Sequence, residues 1–223
     1  MSDDYKPGLL GQIKDKLIAS KQQWARDGRL LTGETSSPDR RRLPPGQRLT
    51  RDWPVLDLGV QPNILLDRWQ LTVGGLVEKP LKLNWNDFLD LPQSDTVSDI
   101  HCVTAWSRYD NKWSGVLARD FLKAVRPRPE VKHVVFQSYD GYATNVSLEM
   151  FAAPDVLLAH SWEGGPLTRE HGGPVRIVMP QFYFWKSAKW VKHIAFLDRD
   201  APGYWEVRGY HNTGDPWKEE RYG

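Results

Sequence analysis

The chain has 223 residues with 30 Lys and Arg against 28 Asp and Glu, and a net charge of +2 leaves no electrostatic footprint for nucleic acid. An apolar fraction of 40% and an aromatic fraction of 12% are enough to bury a real core, which excludes wholesale disorder. No run approaches the roughly 18 consecutive apolar residues of a membrane span, so no transmembrane segment is expected.

The N-terminus, MSDDYKPGLLGQIKDK, lacks the basic-then-apolar layout of a secretory signal. Arg40, Arg41 and Arg42 are followed by Leu-Pro-Pro-Gly where a twin-arginine export signal needs an apolar stretch. The cytoplasm is therefore the expected compartment. Residues 1–51 hold 11 basic and 6 acidic side chains, a net +5 that leaves −3 for the remainder. Within this arm Leu10, Ile13, Leu17, Trp24 and Leu31 recur at helical spacing, which predicts an amphipathic helix over about residues 9–26. Residues 32–48, rich in Gly, Ser, Pro and Arg, read as an extended linker. The expected organisation is a basic arm over 1–50 and a folded domain over 51–223.

From Trp53 onward the pattern shortens. Trp69 to Val73, Val131 to Ser138, Val175 to Met179 and His193 to Leu197 carry β-branched or aromatic residues at period two and are predicted strands. Helices fit over Trp85 to Leu91, capped by Asn84 or Asn86, and over Val116 to Val125, stopped by Pro127. The mixture predicts an α+β fold. Sixteen prolines and 18 glycines imply long irregular connections, the usual setting for assembled sites.

A single cysteine, Cys102, forbids an intrachain disulfide and a cage built from several thiolates. In an extended backbone His101 points away from it, so adjacency alone makes no Cys–His pair. GxSxG, HExxH, Walker and GxGxxG signatures are absent from the sequence. Eleven tryptophans suggest large rigid walls around a site or a partner surface. In Leu167 to Pro180, Gly172 and Gly173 allow close backbone approach. Arg176, Ser187 and Lys189 offer fork, hydroxyl and ammonium donors suited to a phosphate or polar heterocycle.

These segments together resemble the molybdopterin-binding domain of the sulfite oxidase superfamily. Asp155 to Ala159, Pro166-Leu167, His171 to Arg176 and Lys189-Trp190 are similar to the sulfite oxidase stretch around its pterin contacts. Cys102-Val103 with Ala105-Trp106 resembles the cysteine loop of the bacterial protein-methionine-sulfoxide reductase catalytic subunit, with Trp113 and Gly115 in the family's later positions. The resemblance runs from about Trp53 to Tyr210. It implies a sulfite oxidase-type fold of mixed sheets, short helices and long loops, and a molybdenum–molybdopterin cofactor with Cys102 as the thiolate ligand of the metal. Asn63, Leu66, Asp67, Ser138, His171, Arg176, Ser187, Ala188 and Lys189 are implied as pterin contacts. Tyr142 falls on the active-site tyrosine of sulfite oxidases.

Trp106 stands where sulfite oxidases place an arginine of the oxyanion pocket, a change that favours a neutral or larger substrate. The expected activity is two-electron oxygen-atom transfer by a soluble, cytoplasmic oxidoreductase on a small molecule, with reduction of an S-oxide or N-oxide preferred. Oxidation of a small sulfur compound is the alternative within the class, and a cofactor-free, aromatic-rich binding module the alternative outside it. With no haem, flavin or extra dimerisation domain to be matched in this sequence, a separate electron-transfer partner is expected.

Overall fold

The computed structural model describes Ala19 and residues 42–223, so the amphipathic helix over about 9–26 and the first part of the linker lie outside the described residues. Eleven strands among the described residues form two sheets. In the first, β1 (Arg48–Leu49), β5 (Trp106–Leu117), β8 (Leu157–Trp162) and β10 (Arg176–Val178) lie side by side, with β4 (Gln93–Cys102) on β5 and β9 (Gly165–Pro166) on β8. The second runs β3 (Leu81–Leu83), β2 (Leu71–Gly75), β11 (Val191–Leu197), β6 (His133–Ser138) and β7 (Ala143–Ser147). Only β1 with β5 and β2 with β11 pair in parallel. Short helices α1 (Trp85–Leu89), α2 (Ala118–Val125) and α3 (Leu148–Phe151) connect them, giving the expected α+β architecture.

Local chemistry explains the element ends. Asn84 caps α1 in a reciprocal box: its side-chain oxygen accepts from the Asp87 N–H at 3.0 Å and the Asp87 carboxylate accepts from the Asn84 N–H at 2.9 Å. The second predicted helix starts two residues late because Val116 and Leu117 still pair with Leu158 and Leu157 on β8. Arg126 ends it in the left-handed conformation, just before Pro127.

Two apolar clusters follow. One packs Leu71, Val73, Phe121, Val134, Phe136, Ile194 and Phe196 between the second sheet and the helices. The other is aromatic: Trp106, Trp113, Tyr183, Trp185, Trp205 and Tyr210 gather around Cys102. Residues 42–50 join the body: Gln47 and Thr50 are buried, and Arg42 bridges Asp99 at 2.5 Å and Asp110 at 2.7 Å across β4 and β5.

Candidate functional site

The β4–β5 hairpin delivers the thiol. Cys102 ends β4, Trp106 opens β5, the two pair, and only Val103 to Ala105 lie between them, with Ala105 at φ 66° completing the tight loop. The Cys102 Sγ lies 3.2 Å from Thr104 Oγ1. Three flanking groups hold this loop from outside. Gln47 Nε2 donates to the Cys102 carbonyl at 3.1 Å, the Arg48 N–H donates to the Ala105 carbonyl at 3.0 Å, and Arg221 donates to the Val103 carbonyl.

His101 takes no part in the site itself. Its Nδ1 is 2.8 Å from Ser107 Oγ and its ring meets the edge of Trp217, while burial lowers its pKa to about 4. The structure therefore contains no Cys102–His101 dyad.

The loop faces an open cavity, and the sequence-predicted Cys102, Trp106, Ser138, Tyr142, His171, Arg176, Ser187 and Lys189 all line it. Ser138 ends β6 at the turn that continues through Gly141 (φ 86°), and this turn carries Tyr142 to the cavity wall. Tyr142 donates its phenol proton to the Trp185 carbonyl at 2.5 Å; burial, then the neighbouring Glu206 carboxylate, hold it protonated well above the usual phenol range.

Opposite stands a cationic wall. Arg176 is buried and donates to three carbonyls: His171 at 2.8 Å, Ser187 at 3.0 Å and Ile177 at 3.3 Å. Among the described residues no carboxylate pairs with it, and burial lowers its pKa to about 9. The His171 imidazole is pushed down to about 3, first by burial and then by the charges of Arg176, Lys189 and Arg108. At neutral pH it is an uncharged group in a positive field. Gly172, at φ 104°, lets the chain turn against Lys189, where an added Cβ would sit 2.9 Å from the lysine Cβ.

The remaining predicted contacts are placed apart. Asn63 and Leu66 line a second cavity with Trp85, His160 and Arg169, Asp67 is exposed and lines neither, and Ala188 is buried behind β10, its carbonyl accepting from the Ile177 N–H. Trp113 stands behind the wall, its ring edge-on to Trp53 at 5.3 Å. Arg108 is tied to Asn111, Glu163 and the Arg51 carbonyl and does not line the cavity, so it adds no cation in place of the missing arginine. Trp53, Asp57, Asp140, Phe184, Trp185, Trp205 and Tyr210 also line it and were not singled out as site residues by the sequence. The excess of tryptophan was their one visible signal.

The cavity's donors fit a soft metal carried by an anionic, hydrogen-bonding organic group. It offers one thiol, an unneutralised buried guanidinium, and two buried polar atoms with no partner among the described residues, Ser138 Oγ and Trp106 Nε1. No three His, Cys, Asp or Glu side chains cluster as an all-protein metal cage among the described residues. A metal bound there would have to bring most of its own ligands.

Such a site on such a fold defines a molybdopterin oxidoreductase, and the chain belongs to the oxidoreductase molybdopterin binding domain family, which matches residues 58–205. It is 43% identical over 192 residues to the uncharacterized oxidoreductase YuiH of Bacillus subtilis, covering 85% of this chain and 97% of that protein. It is 30% identical over 155 residues to the protein-methionine-sulfoxide reductase catalytic subunit MsrP of Gluconobacter oxydans. That match covers 61% of this chain and spans about half, 49%, of the reductase subunit. Among solved structures, the sulfane dehydrogenase SoxCD of Paracoccus pantotrophus superposes with a TM-score of 0.58 at 23% identity, over 62% of this chain and 40% of that one, a likeness of fold. No helix among the described residues is long and apolar enough to cross a membrane.

Proposed function

We propose that this domain reduces an S-oxide or N-oxide by two-electron oxygen-atom transfer. The observation that carries this reading is the join of the Cys102 hairpin to a substrate-facing wall on which Trp106, rather than a cation, stands next to the thiol. A sulfite or nitrate anion would gain charge-assisted bonds from a cation there, and a neutral oxide would not need one.

In this reading Cys102 supplies the thiolate ligand of the metal, and Arg176, Lys189, Ser138, Ser187, His171 and the backbone at Ala188 hold the pterin. Asn63 and Leu66 extend that hold along the second cavity, and Asp67 joins them from the exposed segment beside it. When bound, the cofactor supplies two-electron exchange and accepts or releases the oxygen atom. The protein's own work is orientation, exclusion of water by Trp53, Trp185 and Trp205, and a proton held at the Tyr142 phenol oxygen. Electrons arrive from a separate carrier; related chains are named as subunits of larger reductases, which supports a dissociable partner. The cytoplasmic setting belongs to the same proposal and is tested by fractionating the native host.

The test is an anaerobic assay with a reduced viologen dye on cofactor-loaded protein, offered dialkyl sulfoxides, methionine sulfoxide, amine N-oxides, sulfite and nitrate. Dye oxidation with oxides alone supports the proposal. Turnover of sulfite with an electron acceptor, and none of the oxides, overturns it.

A further inference from the structure

Behind Tyr142 lies a buried ion pair outside the set of residues proposed to hold the metal and the pterin. Lys186 Nζ and Glu206 Oε1 are 2.7 Å apart, with side-chain exposures of 0% and 2%. Withdrawing two charges from water is costly, and a pair of this kind is rarely a net gain over apolar packing. Its connections are directed. Glu206 Oε1 also accepts from the Thr144 hydroxyl at 2.9 Å and from Trp185 Nε1 at 3.0 Å, while Glu206 Oε2 is buried with no hydrogen-bond partner among the described residues. Thr144 lowers the proton affinity of the Tyr142 phenol, which lines the cavity and donates to the Trp185 carbonyl at 2.5 Å, so that rotation of the Thr144 hydroxyl away from Glu206 would turn its proton towards the phenol oxygen. On its far side Lys186 donates to the Asn145 carbonyl at 2.8 Å, and Asn145 Nδ2 donates to Asp200 at 2.6 Å, which fixes the ammonium in place.

We propose that the Lys186–Glu206 pair is a proton reservoir that loads Tyr142 through the Thr144 hydroxyl during oxide reduction. This rests on the oxide-reductase reading and deepens it. The overall reaction is R2SO + 2 e⁻ + 2 H⁺ → R2S + H2O: the S–O bond breaks, two O–H bonds form, and sulfur is reduced. The two electrons come in succession from a one-electron carrier acting as the reductant. One proton enters from water at the cavity mouth. The other passes from Tyr142 to the oxide's oxygen, is replaced from Thr144, and is made good by Glu206 and then Lys186. When product leaves and water refills the cavity, the same hydroxyls return a proton to the pair. The charged and titratable groups facing this path are Asp140, Tyr210 and Glu206 at Tyr142, and Glu206 and Asp200 at Lys186. Burial lowers the lysine's proton affinity, and the Glu206 and Asp200 carboxylates offset only part of that.

The experiment uses Thr144→Val, which cuts the link and leaves the pair intact, with Glu206→Gln and the rescue variant Thr144→Ser. Expected results are kcat lower by on the order of 10²-fold in the first two, a larger solvent deuterium effect, KM and molybdenum and pterin contents unchanged, and recovery in Thr144→Ser. A second readout needs no turnover. With 3-fluorotyrosine at position 142 of cofactor-free protein, the fluorine resonance should titrate at lower pH in Glu206→Gln than in its parent. Wild-type kcat in Thr144→Val, or a slow variant with unchanged isotope effect, overturns the reservoir. Should the parent reduce none of the oxides, the functional proposal falls by itself. The fluorine titration then decides the reservoir, and an unmoved resonance refutes it.

Discussion

The indole of Trp53 lies flat on the imidazole of His171, with ring centroids 3.8 Å apart and planes 3° from parallel. The same indole has the Arg176 guanidinium 5.3 Å from its ring and the edges of Trp113 and Trp162 against it. It therefore locks the neutral imidazole and faces the buried cation together. Trp53→Ala is expected to cost about 1–3 kcal/mol of stability from lost aromatic contacts and to lower pterin retention, while Trp53→Phe keeps most of both. Urea midpoints and the fluorescence of oxidised pterin after gel filtration check this, and equal pterin content in Trp53→Ala would show that the stack is purely structural.

The depressed basicity of His171 sets a pH dependence in the cofactor-free protein. Its folded pKa, about 3, lies below the ordinary value of 6.5, so the unfolded chain takes up the proton first as pH falls. The contribution to stability is intact above pH 6.5 and is lost as pH drops from there towards 3. Between pH 7 and 5 His171→Asn should lose on the order of 1–2 kcal/mol less than the parent, after allowance for solvent screening at the cavity. Denaturant titrations at the two pH values measure the difference. Parallel losses in both proteins would show that the imidazole is free to protonate in the folded state.

Both of these arguments depend on contacts that the sequence could not display. The period-two runs at Val131 to Ser138 and His193 to Leu197 were legible because one face of each is apolar, and the structure has β6 and β11 there. The longest hairpin was not. Gln93 to Asp99 and Arg108 to Lys112 are polar stretches whose pairing is set by partner backbone and by the Arg42 bridges, so no hydrophobic alternation marks them. Cys102, Arg176 and Lys189 were visible through motif chemistry, whereas the Lys186–Glu206 pair joins residues far apart in the chain through packing alone.

Cys102→Ser should abolish oxide reduction while the pterin is retained, because Arg176, Ser138 and Lys189 stand on β10, β6 and the segment before β11 rather than on the cysteine hairpin. Metal analysis and pterin fluorescence on the same sample separate the outcomes. Loss of pterin together with metal would give the thiol a role in cofactor insertion.

Arg221 reaches back from the C-terminal segment to the Val103 carbonyl inside the cysteine loop, and its guanidinium lies 5.2 Å from the Tyr183 ring. Arg221→Ala leaves that carbonyl without this donor, a loss of about 1–3 kcal/mol. It should also broaden the molybdenum(V) electron paramagnetic resonance signal as the thiolate loop gains freedom. An unchanged spectrum in a destabilised variant would confine Arg221 to folding.

Trp106 presents the most direct test of what the cavity is built to hold. Its indole is 2% exposed, yet Nε1 has no hydrogen-bond partner among the described residues. Burying an unsatisfied donor costs about 1–3 kcal/mol, and Phe in its place removes that cost at the expense of some packing. The two effects oppose, so cofactor-free Trp106→Phe should differ from the parent by less than about 1.5 kcal/mol. On the proposed reading the loaded protein gives the indole N–H a partner, and kcat/KM for the oxide should then fall roughly tenfold in Trp106→Phe, the equivalent of one hydrogen bond. A variant equally active when loaded would place the N–H away from both cofactor and substrate, and would leave the ring's bulk as the whole contribution of Trp106.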